Sequence, residues 1–195
     1  LVTYLRRMSI VSLISELEAQ LTHTAALVAP STVSVGRDHR GAGVVVAPGK
    51  VLTNAHNLRD RTVQITFDDG RVEQAKVVGA DPGHDLVVLD VDTGDAPALE
   101  WADRAPGLGA FVVAAARDGA GVRVTLGTVS QPSRSFRGPG GRPIALALEH
   151  TAPLARGSSG GPLTDLEGRL VAVNTHRLGK GFTAAQVASD ALRST

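Results

Sequence analysis

Three short stretches of the chain carry side chains that could act together: His56, Asp85 and Ser159. Acyl transfer to a serine hydroxyl needs a base to take its proton, a carboxylate to hold that base, and N–H donors for the tetrahedral oxyanion. Ser159 lies in Gly157-Ser158-Ser159-Gly160-Gly161-Pro162-Leu163, where glycines let the backbone turn sharply and offer N–H groups to a bound carbonyl. His56 stands at the end of the run Val51-Leu52-Thr53-Asn54-Ala55, and Asp85 stands at the mouth of the apolar run Leu86-Val87-Val88-Leu89. Each piece alone has a plainer explanation: a Gly/Ser turn, a structural histidine, an aspartate capping a strand. Those explanations are independent of one another, so finding all three pieces in one chain favours the chemical reading.

Two other chemistries fit less well. Gly157-Ser158-Ser159-Gly160-Gly161 also satisfies the G-x-S-x-G pattern of a nucleophile elbow, but that arrangement needs an acid, then a histidine, after the serine, and a helix straight after the elbow. Here only His176 follows, and Pro162 and Gly168 oppose a long helix at that point. The six histidines, His23, His39, His56, His84, His150 and His176, show no H-E-x-x-H or comparable ligand spacing, so no metal site and no cofactor are expected. His84 and His150 read as polar neighbours of a cleft or as surface residues.

The elements that must position these groups read as all-β. Twenty-two glycines and ten prolines punctuate many short Val-rich runs. Strands are expected at 33–35, 43–47, 51–53, 63–67, 72–78 and 86–91, and again at 110–115, 122–129, 144–148, 170–174 and 182–185. Pro48-Gly49 and Asp68-Asp69-Gly70 supply hairpin turns. Residues 92–107 read as a connector between two lobes, and Arg134 to Arg142 as a surface loop. Apolar residues at Ile10, Leu13, Ile14, Leu17 and Leu21 recur at helical spacing and predict one amphipathic helix over 9–26, ended by Pro30. That helix either covers a barrel mouth or serves as a subunit contact or stalk. A short closing helix is expected over 187–193.

Length and charge bound the remaining choices. At 195 residues the chain can bury a sizeable core without metal or disulfide staples, and it has no cysteine. That excludes disulfides, zinc–thiolate sites and a cysteine nucleophile. A net charge of +1 gives no general attraction to nucleic acid or an anionic membrane, so no nucleic-acid partner is expected. No run approaches the roughly 18 apolar residues of a membrane span. The start Leu1-Val2-Thr3 is neither an initiator methionine nor a signal peptide, and the N-terminus is expected to be a trimmed one.

The elements Thr53-Asn54-Ala55-His56, Asp85-Leu86-Val87-Val88-Leu89 and Gly157-Ser158-Ser159-Gly160-Gly161-Pro162-Leu163 resemble, in order and separation, the three motifs of trypsin-fold serine proteases of the HtrA (Deg) type. Gly41-Ala42-Gly43-Val44-Val45-Val46 and Gly168-Arg169-Leu170-Val171-Ala172-Val173-Asn174-Thr175 resemble that family's strands before the histidine and after the serine. The resemblance implies two packed six-stranded antiparallel barrels with the site between them. An N-terminal helical segment would span 1–30 and the protease domain 31–195, with barrel one at about 31–95 and barrel two at about 108–187. It also implies a serine endopeptidase in which His56 is general base and then general acid, Asp85 fixes its tautomer and Ser159 is the nucleophile. The oxyanion hole would be formed by Gly157, Ser158 and Ser159, with the N–H groups of Gly157 and Ser159 as donors. The substrate strand would pair with Thr175, His176 and Arg177, and Leu154 would help line the specificity pocket.

Two residues depart from the family pattern. Ser158 stands where asparagine is common, which leaves the oxyanion donors intact. His176 and Arg177 stand where small or apolar residues are usual, leaving either an apolar pocket or one modified by Arg177. The family's PDZ domain has no counterpart here, so capture through it is missing or lies beyond Thr195. Protein or peptide substrates, unfolded ones included, an extracytoplasmic location and a homotrimer follow from resemblance alone. The alternative is a catalytically latent trypsin-fold module that binds or scaffolds.

Overall fold

The computed structural model describes residues 10–59, 62–137, 141, 143–178 and 181–188. One helix, α1 (Ile10–Val28), precedes twelve strands: β1 (Thr32–Val35), β2 (Gly41–Ala47), β3 (Lys50–Asn54), β4 (Thr62–Thr66), β5 (Val72–Asp81), β6 (Leu86–Asp90), β7 (Phe111–Asp118), β8 (Gly121–Arg137), β9 (Pro143–His150), β10 (Pro162–Thr164), β11 (Leu170–Arg177) and β12 (Thr183–Gln186). They form two closed antiparallel barrels, in the orders β1-β2-β3-β6-β5-β4 and β10-β11-β12-β9-β8-β7. The first closes where β1 meets β4, with Val35 opposite Ile65. The second closes where β10 meets β7, with Leu163 opposite Ala114. The fold is that of the trypsin-like proteases, as the motifs imply.

Runs such as Val44-Val45 and Val87-Val88-Leu89 are apolar at successive positions because both faces of these strands are covered. Side chains alternate across a strand, so neighbours face opposite ways. Val45, Val51, Val87 and Leu89 fill the inside of barrel one. Val44, Leu52, Leu86 and Val88 point the other way and meet Ala115, Leu170 and Val173 of barrel two. A third cluster, including Val112, Ala114, Leu148, Leu163 and Ala172, fills barrel two. The apolar layer between the barrels is therefore a core in its own right.

The helix behaves differently along its length. Thr24 and Val28 are buried, and Gln20 Nε2 and the Thr24 hydroxyl both donate to the Leu166 carbonyl of the β10–β11 turn. Ile10, Val11, Leu13 and Ile14 remain exposed. Only the C-terminal half packs.

Several expectations are corrected. Arg134–Arg137 are not loop: β8 continues through them, with Arg134 opposite Ala147 and Phe136 opposite Ile144. Cross-strand chemistry overrides the local Gly/Pro signal, because the buried Glu149 carboxylate on β9 receives Arg134 and the Ser130 hydroxyl from β8. Val187 and Ala188 are irregular, and the rest of the closing helix expected over 187–193 lies outside the described residues. The connector is pinned: Leu99 N–H donates to Val45 O, and Ala102 N–H and Glu100 O bond the backbone of Leu170. Pro162–Thr164, read only as part of a motif, form a strand.

Arg117 links the barrels through polar groups. It is buried on β7, donates from Nε to the Thr32 carbonyl at 2.7 Å and from Nη2 to the Ala29 carbonyl at 3.2 Å, and pairs with Asp68 of the β4–β5 turn. Truncating it takes the side-chain donor from the buried Thr32 carbonyl, while the Ala29 carbonyl keeps the Thr32 N–H and Asp68 keeps solvent. Arg117→Ala is expected to lower unfolding free energy by about 2–4 kcal/mol, read as a fall in the urea midpoint.

Candidate active site

Barrel one supplies the base and the carboxylate. The buried strand β3 ends in a tight turn, Ala55–Asn57, that lifts His56 to the surface of the cleft. Asp85 precedes β6 with φ of 56°, a left-handed conformation that aspartate adopts more readily than most residues. That twist lets both carboxylate oxygens face one residue: Oδ1 accepts the His56 backbone N–H at 3.1 Å, and Oδ2 lies 2.5 Å from His56 Nδ1. The Asp85 carbonyl also receives the Ala55 N–H at 2.8 Å. With Nδ1–H given to a buried carboxylate, the other ring nitrogen, Nε2, is the one left free to accept a proton.

Barrel two supplies the serine loop, and barrel one holds it. The Ser159 carbonyl accepts from the Ala42 N–H and from Asn57 Nδ2, each at 2.8 Å. Thr53 Oγ1 donates to the Ala42 carbonyl at 2.7 Å and receives Asn57 Nδ2 at 3.1 Å, so β2, β3 and the serine loop share one network. Gly160 has φ of 92°, and a Cβ there would collide with the Ala42 carbonyl and the Thr53 hydroxyl. Only glycine fits this crossing. Among the described residues, the N–H groups of Gly157 and Ser159 have no hydrogen-bond acceptor, which leaves them open as donors.

Ser159 Oγ donates to the Thr175 carbonyl on β11 at 2.6 Å, and not to His56. The next residue, His176, sets its ring 4.9 Å from that of His56 and tilted by 50°, and the Phe136 ring of β8 lies 5.6 Å from it. Thr175 Oγ1 lies 2.6 Å from His176 Nδ1. Burial, and then the adjacent His56, hold the His176 imidazole below its ordinary pKa, so it is neutral at neutral pH.

Residues 41–173 match the family of the trypsin-like peptidase domain. The chain belongs to the trypsin-like peptidase family. It is 36% identical over 164 residues to a probable periplasmic serine endoprotease, DegP-like, from Bartonella henselae, covering 75% of this chain and 31% of that protein. It is 35% identical over 141 residues to the periplasmic serine endoprotease DegP of Escherichia coli, covering 69% and 29%. The chain thus spans about a third of the length of these curated relatives. Among solved structures it resembles the Rv3671c protease in an inactive form, with TM-score 0.75, 26% identity and coverage of 89% and 92%. It also resembles a serine-to-alanine mutant of that Mycobacterium tuberculosis protein, again in an inactive form, with TM-score 0.73 and 27% identity.

In this trypsin-like chain, every residue singled out in the sequence borders one cleft of about 310 Å³, apart from Asp85, which sits behind His56. Leu154, Ser158, Thr175, His176 and Arg177 all line it. Arg177 borders the pocket directly: its Nη2 donates to the Leu154 carbonyl. Sequence reasoning missed Thr53, Asn57, Asn174 and Phe136 as parts of the site, because their types carry no chemistry and only the folded contacts give them a role.

The surface reading of His150 is corrected by its complete burial, since no part of it reaches solvent. Its Nδ1 accepts the Ala152 N–H at 3.2 Å, so Nε2 carries the proton and donates to Asn174 Oδ1 at 3.0 Å. Asn174 Nδ2 in turn donates to the carbonyls of Gly161 and Pro162, just past Ser159. His84, by contrast, is partly exposed and pairs with Asp81 at 2.8 Å.

Burial pushes the His150 pKa from 6.5 down to about 4. The unfolded chain therefore takes up this proton before the folded chain does. Its contribution is fully present above about pH 6.5 and is lost as pH falls toward 4, by on the order of 3 kcal/mol. Urea midpoints measured between pH 7 and pH 4.5 are expected to fall more steeply for the unaltered chain than for His150→Gln.

Proposed function

We propose that this chain is a serine endopeptidase that cleaves protein substrates through an acyl-enzyme. The observation that carries the reading is the two-point hold of Asp85 on His56 at the edge of the cleft that contains Ser159. For attack, the Ser159 hydroxyl turns about its own side-chain bond from the Thr175 carbonyl toward His56. His56 takes the hydroxyl proton as Oγ bonds to the substrate carbonyl carbon, and Asp85 stabilises the imidazolium. The N–H groups of Gly157 and Ser159, with Ser158 between them, receive the oxyanion. His56 then passes the proton to the departing amine as the peptide bond breaks, leaving an acyl-serine. Water, deprotonated by His56, attacks that ester, and the proton returns to Ser159.

In this reading the substrate strand pairs with Thr175, His176 and Arg177, and Leu154 borders the specificity pocket. Substrates include unfolded proteins, and nucleic acid is not a partner. An extracytoplasmic location and a homotrimer are part of the proposal. The location is supported by the relatives, which are periplasmic serine endoproteases. The expected division into a helical segment at 1–30 and a protease domain at 31–195 is retained on the same footing.

A second reading has its own observation. Because the Ser159 hydroxyl is engaged by Thr175 rather than His56, the chain is latent as folded, and serves as a binding or scaffold module until something reorders the cleft. The likeness to two inactive-form structures supports this.

Covalent labelling with a fluorophosphonate and cleavage of unfolded casein, each compared with Ser159→Ala, separate the two. Labelling and cleavage that vanish in the variant establish the active enzyme. A well-folded chain that does neither is the latent module. If the enzyme is active, Asp85→Asn should lower kcat by about 10³–10⁴-fold, because the imidazole loses the acceptor that sets its tautomer.

A further inference from the structure

The proposed mechanism gives the imidazole of His176 no role. Its ring, 4.9 Å from that of the proposed base, gives the cleft a second nitrogen donor. His56, Asp85 and His176 each offer a ligand atom, and these three atoms lie within 4.8 Å of one another. Among the described residues, this is the one place where three such donors converge. Donor atoms around a tetrahedral zinc ion lie roughly 3.3–3.6 Å apart, given bonds of about 2.0–2.2 Å, so closure needs only small side-chain rotations. Two imidazoles and one carboxylate are a donor set that suits zinc and neighbouring transition metals, with a fourth position open to water.

We propose that His56, Asp85 and His176 form a binding site for a divalent transition-metal ion of the zinc class, and that the bound ion shuts the active site. The ion takes the place of the proton now held between His56 Nδ1 and Asp85, and that proton moves to His56 Nε2. Metal binding stands on these three side chains alone, whereas its inhibitory consequence rests on the endopeptidase reading. The His56 ring is then a ligand and no longer accepts a proton from Ser159. Removing the ion returns the base, so the block is reversible. Magnesium and calcium, which prefer oxygen ligands, compete poorly.

His176 is already set beside His56 by the fold. Its Nδ1 is engaged with Thr175 Oγ1, which orients the ring and leaves Nε2 as the free donor. The other His–Asp pair in the described chain, His84 with Asp81, makes a two-residue control site.

The test begins with the Ser159→Ala chain, which contains the proposed ligands but has no nucleophile. Isothermal titration with Zn²⁺ at neutral pH should give one saturable site per chain. His176→Ala in that background should weaken it by at least about 10-fold, while His84→Ala leaves it unchanged. X-ray absorption at the zinc edge of the Ser159→Ala complex should show two imidazole ligands, a readout that does not depend on a further variant folding. No saturable site, affinity indifferent to His176→Ala, loss in His84→Ala instead, or fewer than two imidazoles would each overturn the site. Casein cleavage by the unaltered chain, titrated with Zn²⁺ and then with chelator, tests the consequence separately. Zinc that binds at this site without slowing cleavage refutes the block. An inactive chain that still binds zinc refutes the endopeptidase reading and leaves the metal site standing.

Discussion

Much of the site depends on one backbone contact between the barrels: the Ala42 N–H and the Asn57 amide both end on the carbonyl of Ser159. A carbonyl buried at such a junction must find donors, and here both come from the other barrel. The serine is therefore placed by barrel one although its chain segment belongs to barrel two. Gly160 allows the approach, since any side chain there would strike the Ala42 carbonyl. The same barrel presents His56 and Asp85 from β3 and the start of β6, which pair along their lengths. Moving the barrels apart would break this hold together with the apolar layer between them.

What keeps the barrels together is a layered arrangement and not covalent bonding, since the chain has no cysteine. The apolar layer of Leu52, Leu86 and Val88 against Leu170 and Val173 supplies non-directional burial. Directional contacts act over it: Arg117 reaches across to the carbonyls of Ala29 and Thr32, and within barrel two His150 acts through Asn174 on the carbonyls of Gly161 and Pro162. The second of these depends on a neutral imidazole of one tautomer. Protonating Nδ1 would remove the acceptor for the Ala152 N–H and put a charge where no water reaches.

Much of this was legible in the sequence, for reasons that differ by element. The barrels were readable because Val-rich runs separated by Pro48-Gly49 and Asp69-Gly70 carry their turn chemistry locally, with Gly49 and Gly70 at positive φ. Of the proposed triad, His56 and Asp85 were readable because each sits at the end of such a run, and Ser159 because it stands among glycines. The continuation of β8 to Arg137 was not, because what holds it is Glu149 across the sheet, and no local propensity encodes a partner that distant in sequence. The roles of Asn57, Asn174 and His150 were hidden for the same reason. Nor could spacing reveal that His176 would pack against His56, since the two come from different barrels.

Strand β11 ties the resting state of the cleft to whatever enters it. Its pairing with β10 runs out at Val173, so the edge from Thr175 to Arg177 is open to an added strand. An extended peptide laid on that edge needs the Thr175 carbonyl as an acceptor, and that carbonyl is the one now holding the Ser159 hydroxyl. It must also displace the His176 ring from the face of His56 and compete with Arg177 for the Leu154 side of the mouth. In the endopeptidase reading, then, the groups that keep the serine at rest are the groups a substrate would use. Engagement of the peptide backbone would release the hydroxyl toward the base at the moment a scissile bond is present. A resting cleft and a working one then differ by a few side-chain rotations on a fixed scaffold, which explains how a latent arrangement and intact chemistry can share one set of residues.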